Sequence, residues 1–209
     1  SNIYQDWSGT PSPAPYNWFP DFTVGNTSGL GQAGLSITGA SGFISIGGEF
    51  GTVNGKPTQG LTRFSTSPPG GNKQGPRVPG ETWTPSATSS VPGAAFVTVP
   101  ANWDRDDLLL TYELRRQGSS DVLDSTTAES TWWNQPTVTL RDVTAPPGST
   151  QTYTVTVKDA AGNAVTSSPT TVPIASGTVE SYANDVLGDG ASLFWRLGGD
   201  NRDLAGSNT

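Results

Sequence analysis

The sequence predicts an all-β protein, and three observations carry that expectation. Its 209 residues include 26 glycines and 17 prolines, the residues that build tight turns and interrupt helices. Apolar residues come in short alternating runs, without the i, i+3, i+4 recurrence of an amphipathic helix. Between two such runs stands Val53-Asn54-Gly55-Lys56-Pro57, whose Asn-Gly pair is a strong hairpin signal because both central residues must take positive φ.

Taken in order, the first runs are Trp18 to Val24, Gly34 to Ile37, Phe43 to Ile46 and Leu61 to Phe64. They predict strands of an antiparallel meander within a first segment, residues 1–67. The next stretch, 68–92, begins Pro68-Pro69-Gly70-Gly71, has no apolar periodicity and reads as a linker. A central segment, 93–174, alternates more clearly, with strands expected at Phe96 to Val99, Leu108 to Leu114, Val122-Leu123, Val138 to Leu140, Tyr153 to Val157, Val165 and Val172. Strands at that spacing with turns between them argue a seven-stranded sandwich. A short hinge, Ala175-Ser176-Gly177, opens the last segment, 175–209.

Composition excludes several classes of function. There is no histidine, cysteine or methionine, which removes disulfides, thiolate nucleophiles, Ser-His-Asp relays and metal sites built on imidazole or sulfur. The net charge is −7, and the deficit falls wholly in the middle and last segments. No basic stripe is available to neutralise phosphates, so no nucleic-acid partner is expected. No run approaches the roughly 18 apolar residues of a membrane helix, so no membrane insertion is expected. The chain begins at Ser1 without an initiator methionine, and we read it as a piece of a larger gene product.

Three resemblances follow from motifs. Phe43-Ile44-Ser45-Ile46-Gly47-Gly48-Glu49-Phe50, then Val53-Asn54-Gly55 and Gly60-Leu61-Thr62-Arg63-Phe64, resembles one blade of bacterial delta-60-type β-propellers. The central segment resembles a fibronectin type III domain, with Leu110 to Arg116 as its third strand and Pro147 to Val157 as its tyrosine corner and sixth strand. The resemblance implies that Tyr153 buries its ring and returns its hydroxyl to upstream backbone. It also exposes a gap, since Val99 stands where the family carries a core tryptophan and Ala145 where it carries a leucine; Trp103, Trp132 and Trp133 are candidates to refill the volume. Trp7, Trp18 and Trp83 sit among prolines and are expected to pin irregular segments to nearby sheets. Finally, Tyr182 to Gly198, with Asp189-Gly190 and Phe194-Trp195-Arg196-Leu197-Gly198, resembles the opening of laminin-G-like, concanavalin-type jelly rolls of bacterial surface proteins. The implied architecture is a type III-like sandwich flanked by a partial propeller blade and the first strands of a jelly roll.

Chemistry is sparse. Asn102-Trp103-Asp104-Arg105-Asp106-Asp107 and Lys158-Asp159-Ala160-Ala161-Gly162-Asn163 emerge at one end of such a sandwich, so Asp104, Asp106, Asp107, Asp159 and Asn163 are candidate oxygen ligands for Ca²⁺. The competing reading is that of solvated turns, because Asp, Gly and Asn satisfy turn backbones unaided. Adjacent Trp132 and Trp133 are candidates for glycan or protein binding, with one ring inward and one outward if they lie on a strand. A carboxylate pair for glycoside hydrolysis would need a cleft that a small sandwich rarely encloses, so no enzyme activity is expected.

The resulting expectation is a non-catalytic spacer or scaffold from a secreted or cell-surface bacterial multidomain protein, orienting adhesive or carbohydrate-binding domains. The rivals are a glycan- or protein-binding module and an accessory region of an extracellular polysaccharide-degrading enzyme. Expected partners are flanking domains of the same protein, glycans or surface proteins, and other copies meeting at unpaired strand edges.

Overall fold

The structure is a computed structural model that describes residues 16–189 together with 191 and 194. Trp7 and the Trp195-Arg196-Leu197-Gly198 end of the tail motif lie outside the described residues. The chain is nearly all β and divides into two compact units at the junction of Lys73 and Gln74.

The first unit contains β1 (Phe22–Val24), β2 (Gly34–Ala40), β3 (Phe43–Gly48), β4 (Phe50–Val53), β5 (Lys56–Pro57) and β6 (Leu61–Ser65). Every pairing is antiparallel, but the expected single meander is split into two sheets, ordered β2-β3-β6 and β1-β4-β5. The split occurs between β3 and β4, where the Gly48 N–H donates to Gly60 O and the Glu49 N–H to Ala33 O. A Cβ on Gly48 would come within 1.9 Å of Ala33 O, so glycine is required at this close backbone approach. The Asn-Gly hairpin forms as expected, with Asn54 at φ 49°, Gly55 at φ 74° and Val53 opposite Lys56. Ser41 (φ 51°) and Gly42 (φ 77°) make a second two-residue turn between β2 and β3. The core of this unit is small: Ile46, Phe50 and Val53 are buried, Trp18 stands edge-on to Phe64 and Phe22 to Phe50, both at 4.9 Å.

The second unit is a sandwich of β7 (Ser86–Thr88), β8 (Ala95–Pro100), β9 (Leu109–Arg116), β10 (Asp124–Glu129), β11 (Thr137–Asp142), β12 (Thr150–Lys158), β13 (Ala164–Thr166) and β14 (Thr170–Pro173). One sheet runs β7-β8-β11, and the other runs β10-β9-β12 with both β13 and β14 paired to β12. Alternate residues of both sheets meet in one core: Val97 and Val99, Leu110, Tyr112 and Leu114, Val138 and Leu140, Tyr153, Val155 and Val157. Each such side chain contributes roughly 1.5–3 kcal/mol by leaving water.

Three sequence expectations change here. The strand expected at Val122-Leu123 instead begins at Asp124: it is a polar edge strand whose register is fixed by backbone pairing to β9, from Asp124 opposite Leu114 to Glu129 opposite Leu109. Leu123 packs on the core while Val122 stays exposed.

Much of the 68–92 stretch is also structured. Beyond Lys73 it belongs to the second unit, contains β7 and delivers Trp83 into the core. Trp83 is 3% exposed, lies 6.2 Å from the Tyr112 ring, and donates its Nε1–H to Pro100 O at 2.8 Å. It supplies the core indole sought in Trp103, Trp132 or Trp133. Gly80 lies against β13 so closely that a Cβ would meet Thr166 O at 2.0 Å. Lack of periodicity concealed this segment because one large ring, rather than an alternating face, anchors it.

The third change concerns Tyr153. Its ring is buried as expected, but its hydroxyl donates to Asp142 Oδ2 at 2.8 Å rather than to backbone. Asp142 is itself buried and is gripped by Arg116, with Nε to Oδ2 and Nη2 to Oδ1 both at 2.9 Å. Thr144 adds its N–H and hydroxyl to Oδ1. Asp142 on β11 is thus tied to Arg116 on β9 and Tyr153 on β12, clamping one sheet to the other. Burial and the neighbouring carboxylate hold the Tyr153 phenol far above its ordinary range.

In the last segment, Ser181–Gly188 form a helix, α1, and the part of the motif that follows Asp189 is described only at Ala191 and Phe194. Leu187 is buried with Val91, Ala94 and Phe96, so the helix packs at the start of β8, on its outer face. Phe96, alternating with inward Val97, supplies that outer apolar face. No helix among the described residues is long and apolar enough to cross a membrane.

Candidate functional site

Three loops converge at one end of the sandwich. Residues 101–108 join β8 to β9, residues 130–136 join β10 to β11, and residues 159–163 join β12 to β13. Antiparallel registers place all three together, because Glu129 opposes Leu109 and Lys158 opposes Thr111. The chain also enters the sandwich here: Asn163 Nδ2 donates to Gln74 O at 2.8 Å, and the Arg77 N–H donates to Trp103 O. It leaves β14 at the other end of β12, where Pro173 opposes Thr150.

Asn102 organises this end. Fully buried, its side chain acts as a surrogate strand, accepting the Val78 N–H at 2.8 Å and donating Nδ2–H to Val78 O at 2.9 Å. Its own carbonyl accepts the hydroxyls of Tyr112 (3.0 Å) and Ser130 (2.5 Å). Burial pushes the Tyr112 phenol up to about 12, so it remains a donor. The sequence placed Asn102 beside the acidic run but gave no sign that it carries the joint.

Beyond this anchor lie the acids. Asp104, Asp106 and Asp107 each place a carboxylate oxygen within 4.8 Å of the other two. Asp104 is fully buried, whereas Asp106 and Asp107 are partly buried. Asp104 Oδ1 accepts the Asp106 N–H at 3.3 Å, while its Oδ2 is buried without a hydrogen-bond partner among the described residues. Burial, followed by the facing Asp106 carboxylate, raises the Asp104 carboxyl to about 7; the backbone N–H groups of Asp106 and Arg105 offset part of this. Asp107 is raised by burial, then by the charges of Asp104 and Asp159. An acid raised by desolvation and like charge marks a place where positive charge or a proton is favoured.

The expected convergence of the β12–β13 turn is partial. Asp159 is near enough to act on Asp107, yet its oxygens already accept from Asn163, from the N–H at 2.7 Å and from Nδ2 at 2.6 Å. Asn163 presents Nδ2 to Asp159 and to Gln74 O, so this donor closes the turn and tethers the incoming chain. The oxygen cluster is therefore Asp104, Asp106 and Asp107, with Asp159 behind it.

Trp132 and Trp133 lie at the same end, on the short turn between Thr131 and Asn134 rather than on a strand. Strand alternation does not apply there, and both rings are outward, 58% and 59% exposed and edge-on to each other at 5.2 Å. Trp103 is half-buried.

In the first unit a shallow depression of about 570 Å³ is lined by residues including Thr27, Ser28, Leu35 and Glu49. The Glu49 carboxylate accepts both the hydroxyl and the N–H of Ser28, which lower its pKa. It therefore braces the 25–28 loop. The chain matches no protein-family model, and a search of the curated proteins finds no match.

Proposed function

We propose that this chain is a non-catalytic β module that spaces and orients the segments it joins, within a secreted or surface-displayed bacterial multidomain protein. The observation that carries the reading is the path of the chain through the sandwich. It enters beside Asn163 and leaves β14 beside Thr150, at opposite ends of the nine-residue strand β12. Between those points the interior is filled by side chains from both sheets and clamped by Asp142. A filled, cross-tied body of this kind transmits position without chemistry. The two facing sheets, β7-β8-β11 and β10-β9-β12 with β13 and β14, support the sandwich part of this reading, with β7 supplied from outside residues 93–174.

Because the chain has no cysteine, labels can be placed at will. Spin labels at exposed positions, through Arg77→Cys and Ser176→Cys, are expected to report one narrow distance on the order of 30 Å, the length of a nine-residue strand. A broad or multimodal distribution would refute a rigid spacer.

A second reading is favoured by the two outward indoles. Exposed aromatic pairs stack on sugar rings or anchor partner proteins. On this reading Trp132→Ala and Trp133→Ala abolish signal on a glycan array; an array blank for the parent chain, or unchanged by both substitutions, rejects glycan binding.

A further inference from the structure

We propose that Asp104, Asp106 and Asp107 form a binding site for a divalent cation, calcium by its ligand set, at the end of the sandwich where the chain enters. The proposal goes beyond the spacer reading, which stands without an ion. Two independent observations carry it. The first is the meeting of three carboxylate oxygens within 4.8 Å of one another on a single short loop. The second is Asp104 itself, a fully buried carboxylate whose Oδ2 has no donor among the described residues. A buried acceptor without a partner is costly, and a buried anion facing further anions more so, unless a cation supplies what is missing.

The chemistry selects the class of ion. All candidate ligands are hard oxygens, and the chain has no histidine or cysteine to favour zinc or copper. Three carboxylates from one short loop give an irregular, one-sided set, which calcium accepts because its six to eight ligands need no fixed geometry. Magnesium demands a near-octahedral arrangement and gives up its waters reluctantly. Water reaching the partly buried Asp106 and Asp107 completes the shell. Asp159, whose charge already acts on Asp107, adds long-range attraction from the β12–β13 turn. An ion here draws together the 101–108 loop and the turn whose Asn163 holds Gln74, tightening the point of attachment.

The test is a thermal melt and calorimetric titration of the full chain, in EDTA and in millimolar calcium chloride. Calcium is expected to raise the melting midpoint by about 5 °C or more and to bind with a Kd in the micromolar to millimolar range. Asp104→Asn is expected to fold and to lose the calcium response. Asp107→Asn, on the more exposed side, is expected to fold normally and bind calcium at least about tenfold more weakly. Asp121→Asn, in an exposed loop, should respond as the parent does. An unchanged midpoint with no binding heat overturns the site; so does a calcium response that survives in both Asp104→Asn and Asp107→Asn. An equal response to magnesium chloride overturns the assignment to calcium.

Discussion

The two units use the same antiparallel pairing and reach different degrees of closure. In the first, Ile46, Phe50 and Val53 form the buried core, while Leu35, Ile37 and Leu61 remain exposed and β2 is exposed along its whole length. Its shape is set by backbone: two tight turns at positive φ and the close approach of Gly48 to Ala33. In the second, two sheets face each other across a continuous core, and an ion pair between buried Asp142 and half-buried Arg116 links them. Hydrogen-bonded ladders specify strands, but only a second sheet laid over the first removes their apolar faces from water. The comparison teaches that turn chemistry is sufficient to shape a sheet, whereas a stable interior needs layers.

The largest expected effect falls on the clamp. Asp142→Ala removes the shared partner of Arg116, Tyr153 and Thr144 and is expected to destabilise the second unit by about 3–5 kcal/mol. Tyr153→Phe leaves the Arg116–Asp142 pair intact and removes one hydrogen bond to a charged acceptor, so about 1.5–3 kcal/mol is expected. Urea melts that resolve the two units check both values. Equal losses from the two substitutions, or a loss confined to the first unit, would break the contrast drawn between them.

Legibility in the sequence followed the same division. Alternation located β8, β9, β11 and β12, because each has one face buried and period 2 is visible wherever that holds. Asn54-Gly55 announced its hairpin, while Ser41-Gly42 made an equivalent turn with a weaker signature. The polar edge strand β10 carries no such alternation, and its position depends on β9. Trp83 was expected to pin an irregular segment to a sheet, but its place inside the sandwich core was not legible, because a single ring inserted from an aperiodic segment leaves no alternation to read. In the acidic cluster, residue type and loop placement identified Asp104, Asp106 and Asp107. Burial of Asp104, engagement of Asp159 by Asn163 and the outward turn of both indoles depend on loop shape, which spacing does not encode. The α1 helix, docked through Leu187, was not read from the sequence, because eight residues give only two turns of periodicity.

The account turns on the claim that the sandwich is the self-sufficient body of this chain. Native-state hydrogen exchange, followed amide by amide, tests it most directly. The central amides of β8, β9 and β12 should be the slowest in the molecule and should exchange together, at the free energy of global unfolding, while those of β2 exchange orders of magnitude faster. Protection as great in β2 as in β12, or separate opening of β8 and β9, would contradict it.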